Sequence, residues 1–232
     1  MNIFEAIKEK KMKKLILVSF LTMFIGNSAN ASIISIITGA DMAGMEVTVT
    51  FDGGLTETVV WDVISAGNGL TDTVNSETAS GGVTGLGFSL TQQGNSLGNV
   101  DNNGTPTDFS DDIFYGLWTL TNTSQSAITE LFVNALAGGI VFDTDNLDNS
   151  ILNGSDVGRP FEPRTAGPKA TYSNNYQDEL FGAMTVDLSL TSGASLDFFA
   201  DTDAIAVSAP STISILMLSL FGFVMNARRK QA

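Results

Sequence analysis

Polar and apolar residues alternate from Glu46 to Phe51, which puts Val47, Val49 and Phe51 on one face. A period of two marks a strand with one buried side. Asp52-Gly53-Gly54 follows, a run that tolerates positive φ, and Thr56–Val63 resumes with β-branched and aromatic residues. The pattern predicts a β-hairpin. Further strands are expected at Gly85–Thr91, Phe114–Asn122, Ile128–Ala135, Gly139–Phe142, Ala183–Leu190 and Ser195–Ala200, with Ile33–Ile37 as a first strand. Turn-rich stretches such as Gly94–Thr107 and Asn146–Gly158 separate them. No window between residues 32 and 206 sustains a capped 3.6-residue apolar period. About eight short strands joined by polar turns predict an all-β fold, a β-sandwich of jelly-roll or immunoglobulin-like topology. Its inward set is expected to be Val47, Val49, Phe51, Val59, Trp61, Phe88, Leu90, Leu117, Leu120, Ile128, Leu131, Val133, Val141, Met184, Val186, Leu188, Leu196 and Phe198.

The two ends follow another pattern. Residues 1–31 run from a lysine-rich start (Lys8, Lys10, Lys11, Lys13, Lys14) through an apolar stretch, Leu15 to Ile25, to Ala29-Asn30-Ala31. This is the layout of a secretory signal peptide, with Ala29 and Ala31 as the small residues before a cut after Ala31 by signal peptidase. The apolar stretch is too short to span a bilayer, which takes roughly 20 residues. Met12, just before Lys13 and Lys14, offers an alternative natural start. At the other end, Ile213 to Met225 is apolar and is followed by Arg228, Arg229 and Lys230. A basic cluster after an apolar helix holds that end in the cytoplasm, so residues 207–232 are expected to carry a transmembrane helix and to tether an outward-facing body, residues 32–206.

The run Val207-Ser208-Ala209-Pro210-Ser211-Thr212, a short apolar helix containing Gly222, and then Arg228-Arg229-Lys230 together resemble the PEP-CTERM sorting signal. Ala209 stands where that family commonly has glutamate. The resemblance implies export, membrane tethering and processing by an exosortase-type enzyme, with delivery to the cell surface or the extracellular matrix. Within the body, Leu117–Asn122, Gly139–Thr144, Gly158–Phe161, Ala170–Asn174, Leu180–Val186 and Phe199–Asp203 resemble the bodies of uncharacterised PEP-CTERM proteins. That likeness implies fold and location and no chemistry. The two sorting segments around the body point instead to a structural role at the cell surface, in the exopolysaccharide matrix or in biofilm.

Charge separates the three segments further. Of 11 Lys and Arg, five lie in the signal segment and three in the tail, leaving Arg159, Arg164 and Lys169 in the body. Of 25 Asp and Glu, only Glu5 and Glu9 lie outside it. A body with a net charge near −20 repels phosphate backbones, so no nucleic-acid partner is expected, whereas divalent cations are attracted. The chain has no cysteine and no histidine. Disulfides, Ser-His-Asp and Cys-His nucleophiles, and zinc sites of the usual ligand types are therefore excluded. The chain is not expected to be an enzyme. Carboxylate pairs suited to glycoside hydrolysis cannot be singled out among so many acids.

Calcium is the one ion the residues suggest. Asp101, Asn103, Thr105 and Asp112 place oxygen-bearing side chains at the spacing of a calcium loop, although Pro106 replaces the turn glycine and Asp112 is shorter than the usual glutamate. Asp143, Asp145 and Asp148 form a second acidic set after a strand, and Asp201 with Asp203 a third. Either would help hold an ion if the strand ends converge; otherwise such residues cap turns. Tyr115, Tyr172 and Tyr176, two of them flanking Asn174 and Asn175, are candidates for stacking on sugar rings, the ordinary alternative being half-buried strand-edge tyrosines. Gly158–Lys169 holds every body cation, three prolines and Phe161: a recognition tip, or a long connection stiffened by proline.

Overall fold

The computed structural model describes residues 32–34, 37–67, 78–102, 113–145, 157–177 and 179–206. In chain order the strands are β1 (Ser32–Ile34), β2 (Glu46–Phe51), β3 (Thr56–Val60), β4 (Asp62–Ser65), β5 (Ser80–Thr84), β6 (Phe88–Gln93), β7 (Asn99–Asp101) and β8 (Ile113–Tyr115). There follow β9 (Trp118–Asn122), β10 (Ile128–Asn134), β11 (Ile140–Asp143), β12 (Glu162–Pro163), β13 (Lys169–Gln177), β14 (Leu180–Leu190), β15 (Ser195–Phe199) and β16 (Asp201–Ala206). Apart from two short 3-10 turns, Gly39–Met42 and Ala135–Gly138, these residues contain no helix. None is therefore long and apolar enough to cross a membrane. The fold is all-β, and its strand pairs are antiparallel.

One sheet runs β1-β16-β11-β14-β10-β2-β3 and the other β12-β15-β9-β6-β5-β4, while β7 and β8 pair by themselves. The first sheet is organised around β14. Its residues 183–187 pair with β10 on one edge and with β13 on the other. Since β13 also pairs with Leu180 and Phe181, β11, which pairs with those same two residues, must share the β10 edge. Thus β10 and β11 act as one interrupted strand, from which residues 135–141 bulge opposite Gly182. The Ala135–Gly138 turn in that bulge closes on Gly139 in the left-handed region, φ 72°. A Cβ on residue 182 would overlap the Leu136 side chain, which accounts for glycine there.

The alternating valines of β2 bury Val47, Val49 and Phe51 against the facing sheet, where Phe88, Leu90, Trp118, Leu120, Leu196 and Phe198 point inward. Burial contributes roughly 1.5–3 kcal/mol for each large apolar side chain before ordering entropy is subtracted. At the centre, the Trp118 ring lies 5.1 Å from Trp61, 5.8 Å from Phe198 and 6.3 Å from Phe142. Both indole N–H groups are used: Trp118 donates to the Ala200 carbonyl at 2.9 Å and Trp61 to Gly39 at 2.8 Å. A buried tryptophan without such an acceptor would lose a hydrogen bond it had made in water.

The structure corrects several expectations. Thr56–Val63 is not one strand, because Trp61 turns into the core and carries the chain from the first sheet at β3 to the second at β4. Phe114–Asn122 breaks at Gly116, φ 73°, so the inward residue is Trp118, while Leu117 is only half-buried. Val59 and Leu188 are also only half-buried and pack at the core margin. Val141 is buried, but on the opposite face of the first sheet, in a small cluster with Ile33 and Leu180. The strands β5, β7, β12, β13 and β16 lie where no strand was expected.

Candidate functional site

β11 and β16 are joined in a register that sets Val141 opposite Asp203, Phe142 opposite Thr202 and Asp143 opposite Asp201. Directly opposed residues share a face, and residues two apart on a strand share a face as well. Asp143, Asp201 and Asp203 therefore stand together, on the face that also carries Val141, Ile33 and Leu180, while Phe142 points the other way into the main core. All three carboxylates are buried, and one oxygen from each lies within 4.8 Å of the others. Two of the acidic sets read from the sequence thus converge, and the antiparallel register is what brings them together.

Local geometry holds Asp143 and Asp201 in place. The Asp143 carboxylate accepts the amide of Asp145 at 2.9 Å, an Asx turn as the chain leaves β11. The backbone of Gly158 passes so close that a Cβ there would overlap the Asp143 carboxylate, and the Asp201 amide donates to the Arg159 carbonyl at 2.8 Å. From the loop after β6, the Ser96 hydroxyl donates to Asp201 Oδ1 at 2.7 Å and accepts the Thr202 amide at 3.3 Å. Asp201 Oδ1 also accepts the Thr202 amide, at 2.8 Å.

These donors do not offset the loss of water. Burial pushes the Asp201 carboxyl well above its ordinary value of 3.8, and the neighbouring charges of Asp203 and Asp143 push in the same direction against the Ser96 and Thr202 hydrogen bonds. Two like unit charges about 4.8 Å apart repel by roughly 3–4 kcal/mol at an effective dielectric of about 20. Burial and mutual repulsion therefore both oppose full ionisation of the cluster. The guanidinium of Arg159 is turned elsewhere: it bonds Glu162 at 2.8 Å and Leu97 at 3.3 Å and lies 3.5 Å from the centre of the Phe199 ring. That of Arg164 lies 3.2 Å from the centre of the Phe114 ring.

An all-oxygen donor set matches a hard divalent cation rather than zinc. Calcium holds oxygens at about 2.3–2.6 Å, so two oxygens on one ion stand at most about 5 Å apart. Separations up to 4.8 Å are compatible with that limit.

Of the calcium-loop residues read from the sequence, Asp101 ends β7, half-buried and opposite Ile113 of β8, while Asn103, Thr105 and Asp112 lie outside the described residues. Asp148 lies outside them too. So do the signal residues Ala29 and Ala31, the sorting run Val207, Ser208, Ala209, Pro210, Ser211 and Thr212, and the basic cluster Arg228, Arg229 and Lys230. Tyr172 proves to be half-buried, its hydroxyl accepting the Phe161 amide at 2.6 Å and its ring packed against Phe142 and Phe181. Within Gly158–Lys169, β12 pairs with β15, Phe161 packs against Phe198, and both arginines lie on aromatic rings.

Among the described residues, fold and site together define an all-β protein of two larger antiparallel sheets and a two-stranded pair, with a buried carboxylate cluster on the face of the first sheet turned away from the main core. Compared with family models, curated proteins and solved structures, the chain finds no match.

Proposed function

We propose that this chain is an exported cell-surface or extracellular-matrix structural protein. In this reading the signal segment is removed after Ala31, and the PEP-CTERM-like tail, residues 207–232, tethers the body and presents it to an exosortase-type enzyme. The body is a β-sandwich, of jelly-roll or immunoglobulin-like topology, without enzymatic activity. It serves in or beside exopolysaccharide. The observation that supports this reading is the layout of the chain: a signal segment and a sorting-type tail bracket an acidic body that has neither cysteine nor histidine. Expressing the chain in an exosortase-bearing host with and without residues 207–232, and fractionating the cells, tests it. The full chain is expected at the envelope and the truncated chain in the medium. Equal distribution of the two would defeat the sorting claim.

A second reading, a calcium-dependent surface module, is favoured by the convergence of Asp143, Asp201 and Asp203. A ligand that binds only the folded state raises its stability by mass action. Millimolar calcium at neutral pH is expected to raise the melting temperature of the isolated body by several degrees. An unmoved melting temperature would retire this reading.

A further inference from the structure

We draw no further inference here: the strongest candidate, the groove of about 500 Å³ between the Thr165–Pro168 turn and the adjoining ends of β14 and β15, carries nothing, because nothing in the structure shows what covers its floor of Leu188, Leu190 and Leu196.

Discussion

A carboxyl group taken out of water holds its proton more firmly, and Asp201 does so against a serine hydroxyl and a backbone amide that both favour the ionised form. Its folded-state pKa exceeds the unfolded value of 3.8, so the folded protein binds the proton more tightly. The stability this confers is fully present below the unfolded pKa and is lost as pH rises through the folded one. Asp201→Asn keeps an acceptor for Ser96 and Thr202 and removes the charge. In calcium-free buffer its melting temperature should decline less than that of the wild type as pH rises above about 4, and it should lose the calcium response. Parallel pH profiles for the two proteins would show that Asp201 does not govern this behaviour. Tyr172 offers a separate test. Burial pushes its hydroxyl up to about 12, against the opposing hydrogen bond from Phe161, so its contribution is complete below pH 10 and disappears as pH climbs through about 12. Absorbance titration should find one of the three tyrosines ionising late. Tyr172→Phe leaves the Phe161 amide without this acceptor and should cost about 1–2 kcal/mol in urea unfolding.

Among the elements, the interrupted strand formed by β10 and β11 decides where the acids stand. Its bulge, residues 135–141, shifts the chain so that β11 resumes opposite Phe181 and continues to Asp143, beside Leu180 and Asp201. Gly182→Ala would drive a methyl group into Leu136. Overpacking of this kind typically costs about 1–3 kcal/mol. Adding Leu136→Ala should restore most of the loss, because the two changes act on one contact and are not additive. If the double variant is no more stable than Gly182→Ala alone, the bulge is not held by this contact. The element scale also explains which strands were legible. β2 was, because its valines alternate cleanly against threonines on a sheet with one buried face. β16 was not: Asp-Thr-Asp at its start reads as turn chemistry, and only the pairing with β11 makes those residues a buried strand. β13 was missed although Lys169–Tyr172 alternates polar with apolar, because Ser173-Asn174-Asn175 interrupts the period and the neighbouring β14 supplies the order.

For the whole molecule, a net charge near −20 on the body makes stability sensitive to any cation, specific or not. The calcium effect must therefore be measured against sodium chloride at matched ionic strength. Only an increment beyond the sodium value, absent in Asp201→Asn, belongs to the cluster. A body with no cysteine also relies on its core, and the Trp118 stack with Trp61, Phe142 and Phe198 joins the two sheets at the centre of that core.

By itself, the amino-acid sequence determined the all-β class, the acidic character of residues 32–206, the exclusion of cysteine- and histidine-based chemistry, and the three acidic sets as candidates. These are properties of composition and of short-range periodicity, which a strand displays along its own length. Tertiary structure alone decided that Trp118 and not Leu117 fills the centre, and that Asp143 meets Asp201 and Asp203. The first depends on a break at Gly116 that reverses which side chains face inward. The second depends on the register between strands distant in sequence, and no local pattern encodes that distance.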